Sequence, residues 1–208
     1  MANVANKFRV LVVLITLVLM YDITNAQTIN TQKDSTETFW HDKVFYKIIY
    51  LSDSKYKIEW GNKKETYLSK EVFEVQGNGV FNYLASDKNS IVLWQDCGIS
   101  CVAYLVLPIT FKGKEETYLS GLAVDIKNNL IAYYDVDAEP PIFIKVVNYK
   151  TDKKMNIYEK DVCNAAVKAE CIDKCYFKDK NLVIKWRGSQ HNSVYQLNRK
   201  TKKVKIKI

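Results

Sequence analysis

Five cysteines, two histidines and three closely spaced carboxylates are the residues with which this chain could do chemistry. Cys97 and Cys101 enclose Gly98-Ile99-Ser100. Two cysteines in a loop close a disulfide when their α-carbons come within about 7 Å, and a glycine between them gives the backbone the freedom to do so. A redox role calls for Cys-x-x-Cys at a helix N-terminus, which lowers a thiol pKa; this motif has neither the spacing nor the helix. Two thiolates also suit Cu(I), but the structural disulfide is the expected outcome. Cys163, Cys171 and Cys175 form a second group. Their spacings match no common zinc site, and the expected pairing is Cys163 with Cys175, leaving Cys171 as the odd thiol.

Asp135, Asp137 and Glu139 alternate in a loop that ends in Pro140-Pro141. Alternating oxygen ligands are what calcium uses, which makes these three residues the candidate calcium site, although the glycine and distal glutamate of an EF-hand loop are missing. No other cofactor is indicated. The same carboxylates could serve glycoside hydrolysis only if two of them faced each other across a cleft, which neighbours in one loop do not do. His41 and His191 stand apart from any Gly-x-Ser-x-Gly elbow, His-Glu-x-x-His helix or phosphate loop. Catalytic residues are therefore not assigned, and an enzyme is the less favoured reading.

The densest charge lies at the C-terminus, where Lys200, Lys202, Lys203, Lys205 and Lys207 surround Val204, Ile206 and Ile208. As a binding strip these lysines would take an anionic partner. As structure they are the solvent face of an edge strand, where lysine blocks unwanted pairing.

The elements that must position these groups are strands. Tyr, Ile, Val and Phe are plentiful, whereas the chain has only 7 Gly and 3 Pro. Asp87 to Trp94 is a polar turn, an apolar run and an aromatic, echoed at Asp53 to Trp60, Asp179 to Trp186 and, one residue longer, Asp125 to Tyr133. That is how a hairpin turn feeding a buried strand is written, and it predicts Trp60, Trp94 and Trp186 as equivalent core aromatics. Val102 to Leu107 carries no charge and should be buried on both faces. Three pairs recur about fifty residues apart: Glu65 to Ser69 with Glu116 to Ser120, Asn129-Leu130-Ile131 with Asn181-Leu182-Val183, and Asn148-x-Lys-Thr with Asn198-x-Lys-Thr. The turn after Asn148 or Asn198 would join outer strands of such a unit. The fold class is thus all-β: an antiparallel meander of repeated hairpin units, either propeller-like and incomplete or small, or a β-sandwich. One exception is expected near 161–174, where Val162, Ala165, Ala166, Ala169 and Ile172 share a helical face behind Asp161 as N-cap.

Residues 1–26 read as a secretory signal: Lys7 and Arg9, an apolar run from Val10 to Met20, and a small-residue cleavage site ending at Ala26. The run is too short to span a bilayer, which takes about 20 apolar residues. Residues 27–39 read as a polar leader and 40–208 as a single β domain, about 180 mature residues with enough chain to bury a core. Secretion or periplasmic export suits the cysteines and makes nucleic acid an improbable partner for a chain of net charge +8. The expected role is an exported, non-catalytic β-protein that binds a protein or an anionic envelope component, with an inhibitor or immunity-type protein as one form. The alternative is a secreted hydrolase or a carbohydrate-active or carbohydrate-binding protein.

Overall fold

The computed structural model describes residues 36–76, 79–98, 101–109, 114–135, 143–165, 168–189 and 198–208. The signal segment, most of the leader and His191 lie outside them.

Among the described residues, hairpin turns divide the chain into four antiparallel sheets, none closed into a barrel. The first contains β1 (Thr36–His41), β2 (Val44–Ser52), β3 (Lys55–Asn62) and β4 (Thr66–Leu68) in sequence order, with β5 (Phe73–Glu74) also pairing with β3. The second runs β6 (Asn82–Ser86), β7 (Ser90–Gly98), β8 (Cys101–Pro108) and β9 (Glu116–Tyr118). The third is β10 (Gly121–Asp125), β11 (Leu130–Tyr133), β12 (Ile144–Asn148) and β13 (Lys153–Ile157), and the fourth is β14 (Ile172–Lys178), β15 (Asn181–Arg187) and β16 (Arg199–Lys205).

The recurring aspartates make the turns. Asp87 Oδ1 accepts the backbone N–H of Asn89 and of Ser90, each at 2.8 Å, and Asp125 Oδ1 accepts that of Asn128 at 3.2 Å. Asp179 and Lys180 both have positive φ, 50° and 60°, the backbone of a two-residue turn whose twist matches the strands it joins. The fifty-residue copies are equivalent in two of three cases: Glu65 to Ser69 and Glu116 to Ser120 lie in and beside β4 and β9, and Asn129 and Asn181 introduce β11 and β15. Asn148 opens the turn between β12 and β13, but Asn198 stands directly before β16, so no outer-strand turn follows it.

The sheets pack face to face in series. Ile48, Ile58 and Trp60 of the first meet Leu93, Leu105 and Leu107 of the second. On its other face the second sheet sets Val92, Val106 and Tyr118 against Ile131, Val147 and Tyr149. The third then turns Leu130, Ala132, Ile144 and Val146 towards Leu182, Ile184 and Trp186 of the fourth. Both middle sheets are therefore covered on both faces, which is why Val102 to Leu107 tolerates no charge. Each fully buried Leu or Ile contributes roughly 1.5–3 kcal/mol relative to exposure.

Of the three tryptophans expected as core aromatics, Trp60 and Trp186 are buried. Trp60 donates its indole N–H to the carbonyl of Pro108 at 2.8 Å and Trp186 to that of Asp161 at 2.9 Å. Trp94 is 36% exposed, contrary to expectation. Along β7 the positions of Ile91, Leu93 and Gln95 face the first sheet, so the one-residue alternation sends Trp94 to the opposite face, paired with Asn82 and Tyr104.

The helix expected near 161–174 contracts to one 3-10 turn, Lys168–Cys171. The preceding segment is recruited by the fourth sheet: Cys163 donates its backbone N–H to Arg187 O at 2.9 Å, and Asp161 O serves the Trp186 indole. The expected Cys163–Cys175 bridge is corrected at the same place. Cys163 bonds to Cys171, with α-carbons 5.7 Å apart. Eight residues of α-helix would separate them by roughly 12 Å, so bridge and helix exclude each other. Cys175 is the free thiol; it lies on the inner face of β14 beside Ile184, packed into the core between the third and fourth sheets.

Candidate functional site

Alternation along three strands builds a basic face on the fourth sheet. Because residues paired across antiparallel strands share a face, the outward rows are Lys174, Lys185 and Thr201, then Tyr176, Val183 and Lys203, then Lys178, Asn181 and Lys205. Lys174 lies over the Tyr176 ring, its Nζ 5.4 Å from the centroid. At the end of these rows Arg187 and Arg199 flank Asp173, at 3.4 and 3.9 Å. Among the described residues no ion pair is made by Lys174, Lys178, Lys185, Lys203 or Lys205.

The C-terminal lysines do not form one strip. Lys203 and Lys205 belong to the outer face, whereas Lys200 and Lys202 point to the inner side of β16 and pair with Asp161 and Glu159. Lys207 is exposed beyond the strand, between Ile206 and Ile208, which pack onto the core between the third and fourth sheets. The sequence reading missed Lys174, Lys178 and Lys185. Folding 174–187 about an Asp179-Lys180 turn would have aligned them, since the turn fixes the register.

A cleft of about 550 Å³ opens at the Arg187 end of this sheet, lined by Cys163, Asn164, Arg187, Gly188, Ser189 and Asn198. Its polar groups hold structure. Asp161 accepts both the backbone N–H and the hydroxyl of Ser189, each at 2.7 Å, and binds the Lys200 ammonium. Arg187 donates to the carbonyl of Glu170, next to the disulfide. A Cβ on Gly188 would lie 3.0 Å from Asp161 Oδ1, Asn198 Nδ2 and Lys200 Cε alike, so the network closes tightly around a glycine.

A second cleft, about 500 Å³, lies between the first two sheets, lined by His41, Asp42, Lys43, Val44, Ser86, Asp87 and Lys88. His41 stacks on Tyr83 with ring centroids 3.4 Å apart, and Tyr83 Oη lies 3.0 Å from Ser86 Oγ. No local pattern announces this contact, because β1 and β6 are distant in the chain.

Cys97 and Cys101 form the expected disulfide at the tip of the β7–β8 hairpin, with α-carbons 5.1 Å apart. Gly98 takes φ 117°, and its N–H bonds to Asp96 Oδ1 at 3.0 Å. Of the calcium candidates, Asp137 and Glu139 lie outside the described residues, and the Asp135 carboxylate is held by Lys145. Among the described residues no group of three His, Cys, Asp or Glu could hold a metal ion, and no helix is long and apolar enough to cross a membrane.

Burial raises several titrating groups without giving them a reactive partner. It pushes the Cys175 thiol up to about 12. It raises Tyr56 and Tyr149 to about 12 as well, against the hydrogen bonds each makes. Tyr118 rises further, first from burial and then from its hydrogen bond to the Glu116 carboxylate at 2.6 Å. A thiol held neutral in a core is inert.

Compared with known proteins, the chain matches no family model, no curated sequence and no solved structure.

Proposed function

We propose that this is an exported, non-catalytic β-protein that binds another macromolecule, and that the contact is made by the basic outer face of the fourth sheet. The partner is an acidic protein or another anionic envelope component; inhibition or immunity-type protection is one form of such binding. The observation that carries this reading is the set of five outward lysines with no ion pair among the described residues. Neighbouring strands are about 4.8 Å apart, and alternate residues along a strand about 6.8 Å. Both spacings are within the Debye length of about 8 Å at physiological salt, so the fields of these lysines add. Such a face speeds encounter with an anionic partner and orients it. The disulfides suit an oxidising compartment.

The test is binding of polyglutamate and of an acidic polysaccharide to the purified protein at low and high salt. Binding that weakens with salt and falls at least tenfold in the Lys185→Glu/Lys203→Glu variant is expected. Equal binding by that variant, or turnover of a glycan or peptide panel, would overturn it.

A further inference from the structure

Among the described residues the fourth sheet has three strands, where the second and third have four and the first has five. In the first three, a fourth strand follows the third and adds a large side chain: Tyr67, itself exposed, stacks on Trp60, Tyr118 is buried against the third sheet, and Ile157 is buried against the fourth. Among the described residues nothing pairs with the outer edge of β16. Val204, Ile206 and Ile208 remain half-buried there.

The register shows which backbone groups that edge offers. Gly188 N–H bonds to Asn198 O at 2.7 Å and Ile206 N–H to Lys180 O at 3.1 Å, so even-numbered residues from 198 to 206 bond to β15. The pairing is unbroken between them. The N–H and C=O groups of Arg199, Thr201, Lys203 and Lys205 therefore point away from the sheet, an antiparallel template in which successive residues face opposite sides.

We propose that this edge accepts an extended segment of a partner protein as the missing strand, with acidic side chains outward and apolar ones inward. The inference rests on the reading that the basic face binds a macromolecule, and it specifies the partner. Charge selects the occupant. Outward residues of an added strand continue the rows that end in Thr201, Lys203 and Lys205, where carboxylates would face ammonium groups directly across the pair. Inward residues opposite Val204 and Ile206 extend the apolar edge, while Lys200 and Lys202 on the same side are already held by Asp161 and Glu159. A second copy of β16 would set lysine against lysine, so the feature that discourages self-pairing favours an acidic strand. Main-chain bonds supply affinity and the alternating side chains supply specificity, as in strand addition generally.

The experiment uses the purified full chain and a ten-residue synthetic peptide alternating glutamate with valine and tyrosine. Controls are polyglutamate and a peptide of the same composition with its glutamates in one block. Strand addition protects the amide protons of Thr201, Lys203 and Lys205 from hydrogen exchange, and the alternating peptide binds at least tenfold tighter than the blocked one. Thr201→Pro removes an outward N–H at an edge position that tolerates proline without removing a lysine of the basic face, and it should lower affinity for the alternating peptide tenfold while leaving polyglutamate binding within about threefold. Salt-dependent polyglutamate binding, with no amide protection and no preference for the alternating peptide, overturns strand addition and leaves the basic-face reading intact. No binding of any probe overturns both. Protection of these amides by self-association, without peptide, also overturns the proposal.

Discussion

Replacing Gly121 with alanine tests whether the second and third sheets are locked together as described. Gly121 opens β10 outside the left-handed region, so only space forbids a side chain. A Cβ there would fall well inside 3.0 Å of Cδ2 and Cε2 of the Tyr104 ring and 3.1 Å from its Cγ. Ordinary carbon contacts are about 3.5–4.0 Å, so the ring or β10 must move by roughly an ångström. Overpacking of this kind costs about 1–3 kcal/mol. Tyr104→Ala removes the obstruction at its own cost, about 2–3 kcal/mol for a large, partly buried ring. The informative quantity is the coupling: in the Tyr104→Ala background the penalty of Gly121→Ala should disappear, making the double variant about 1–3 kcal/mol more stable than additivity predicts. Urea unfolding followed by tryptophan fluorescence measures all four proteins, with a constant m-value as the check on two-state behaviour. Additive penalties, or a neutral Gly121→Ala, would refute the close approach of β8 and β10.

Two further outcomes follow from the core. Trp60→Phe and Trp186→Phe each leave a carbonyl without its indole donor and should cost about 1–3 kcal/mol, whereas Trp94→Phe should change urea stability by under about 0.5 kcal/mol. Cys175 should resist iodoacetamide at pH 8 and react once denaturant is added, with mass mapping placing the single label on Cys175 and not on Cys171. Its pKa also sets a sign. The unfolded thiol ionises near 9 and the folded one near 12, so between those values the folded state holds a proton that the unfolded state has lost. Stability should then fall with rising pH, at up to about 1.4 kcal/mol per pH unit from this group. Tyr56 and Tyr149 steepen the fall above pH 10. Urea titrations at pH 8, 9 and 10 should show a shallower decline between 9 and 10 in Cys175→Ala; an unchanged slope would refute the assignment.

Local chemistry made much of the fold legible. The Asp-led turns act through their own side chains on backbone a few residues away, so Asp87 and Asp125 announce themselves. The uncharged Val102 to Leu107 announces a strand between two neighbours. The failures are the places where a distant element decides. The alanines of 162–169 favour a helix, but Arg187 O and the Trp186 indole, some twenty-five residues on, recruit that segment to a sheet end, and the Cys163–Cys171 bridge holds it there. Trp94 repeats the local pattern of Trp60, yet its face is set by register against β6 and β8. The C-terminal lysines look like one strip in the sequence because composition alone does not say that Glu159 and Asp161 wait beneath Lys200 and Lys202.

The serial order of the sheets has a consequence for how the chain acquires its structure. Each strand pairs within its own sheet, and each buried interface joins consecutive sheets. The first sheet can therefore assemble while the rest of the chain is still being delivered, and each arrival covers the face its predecessor left bare. Loop closure is short at every step, which favours rapid pairing. A chain threaded across a membrane from its N-terminus would never need to hold more than one sheet face open while awaiting the next.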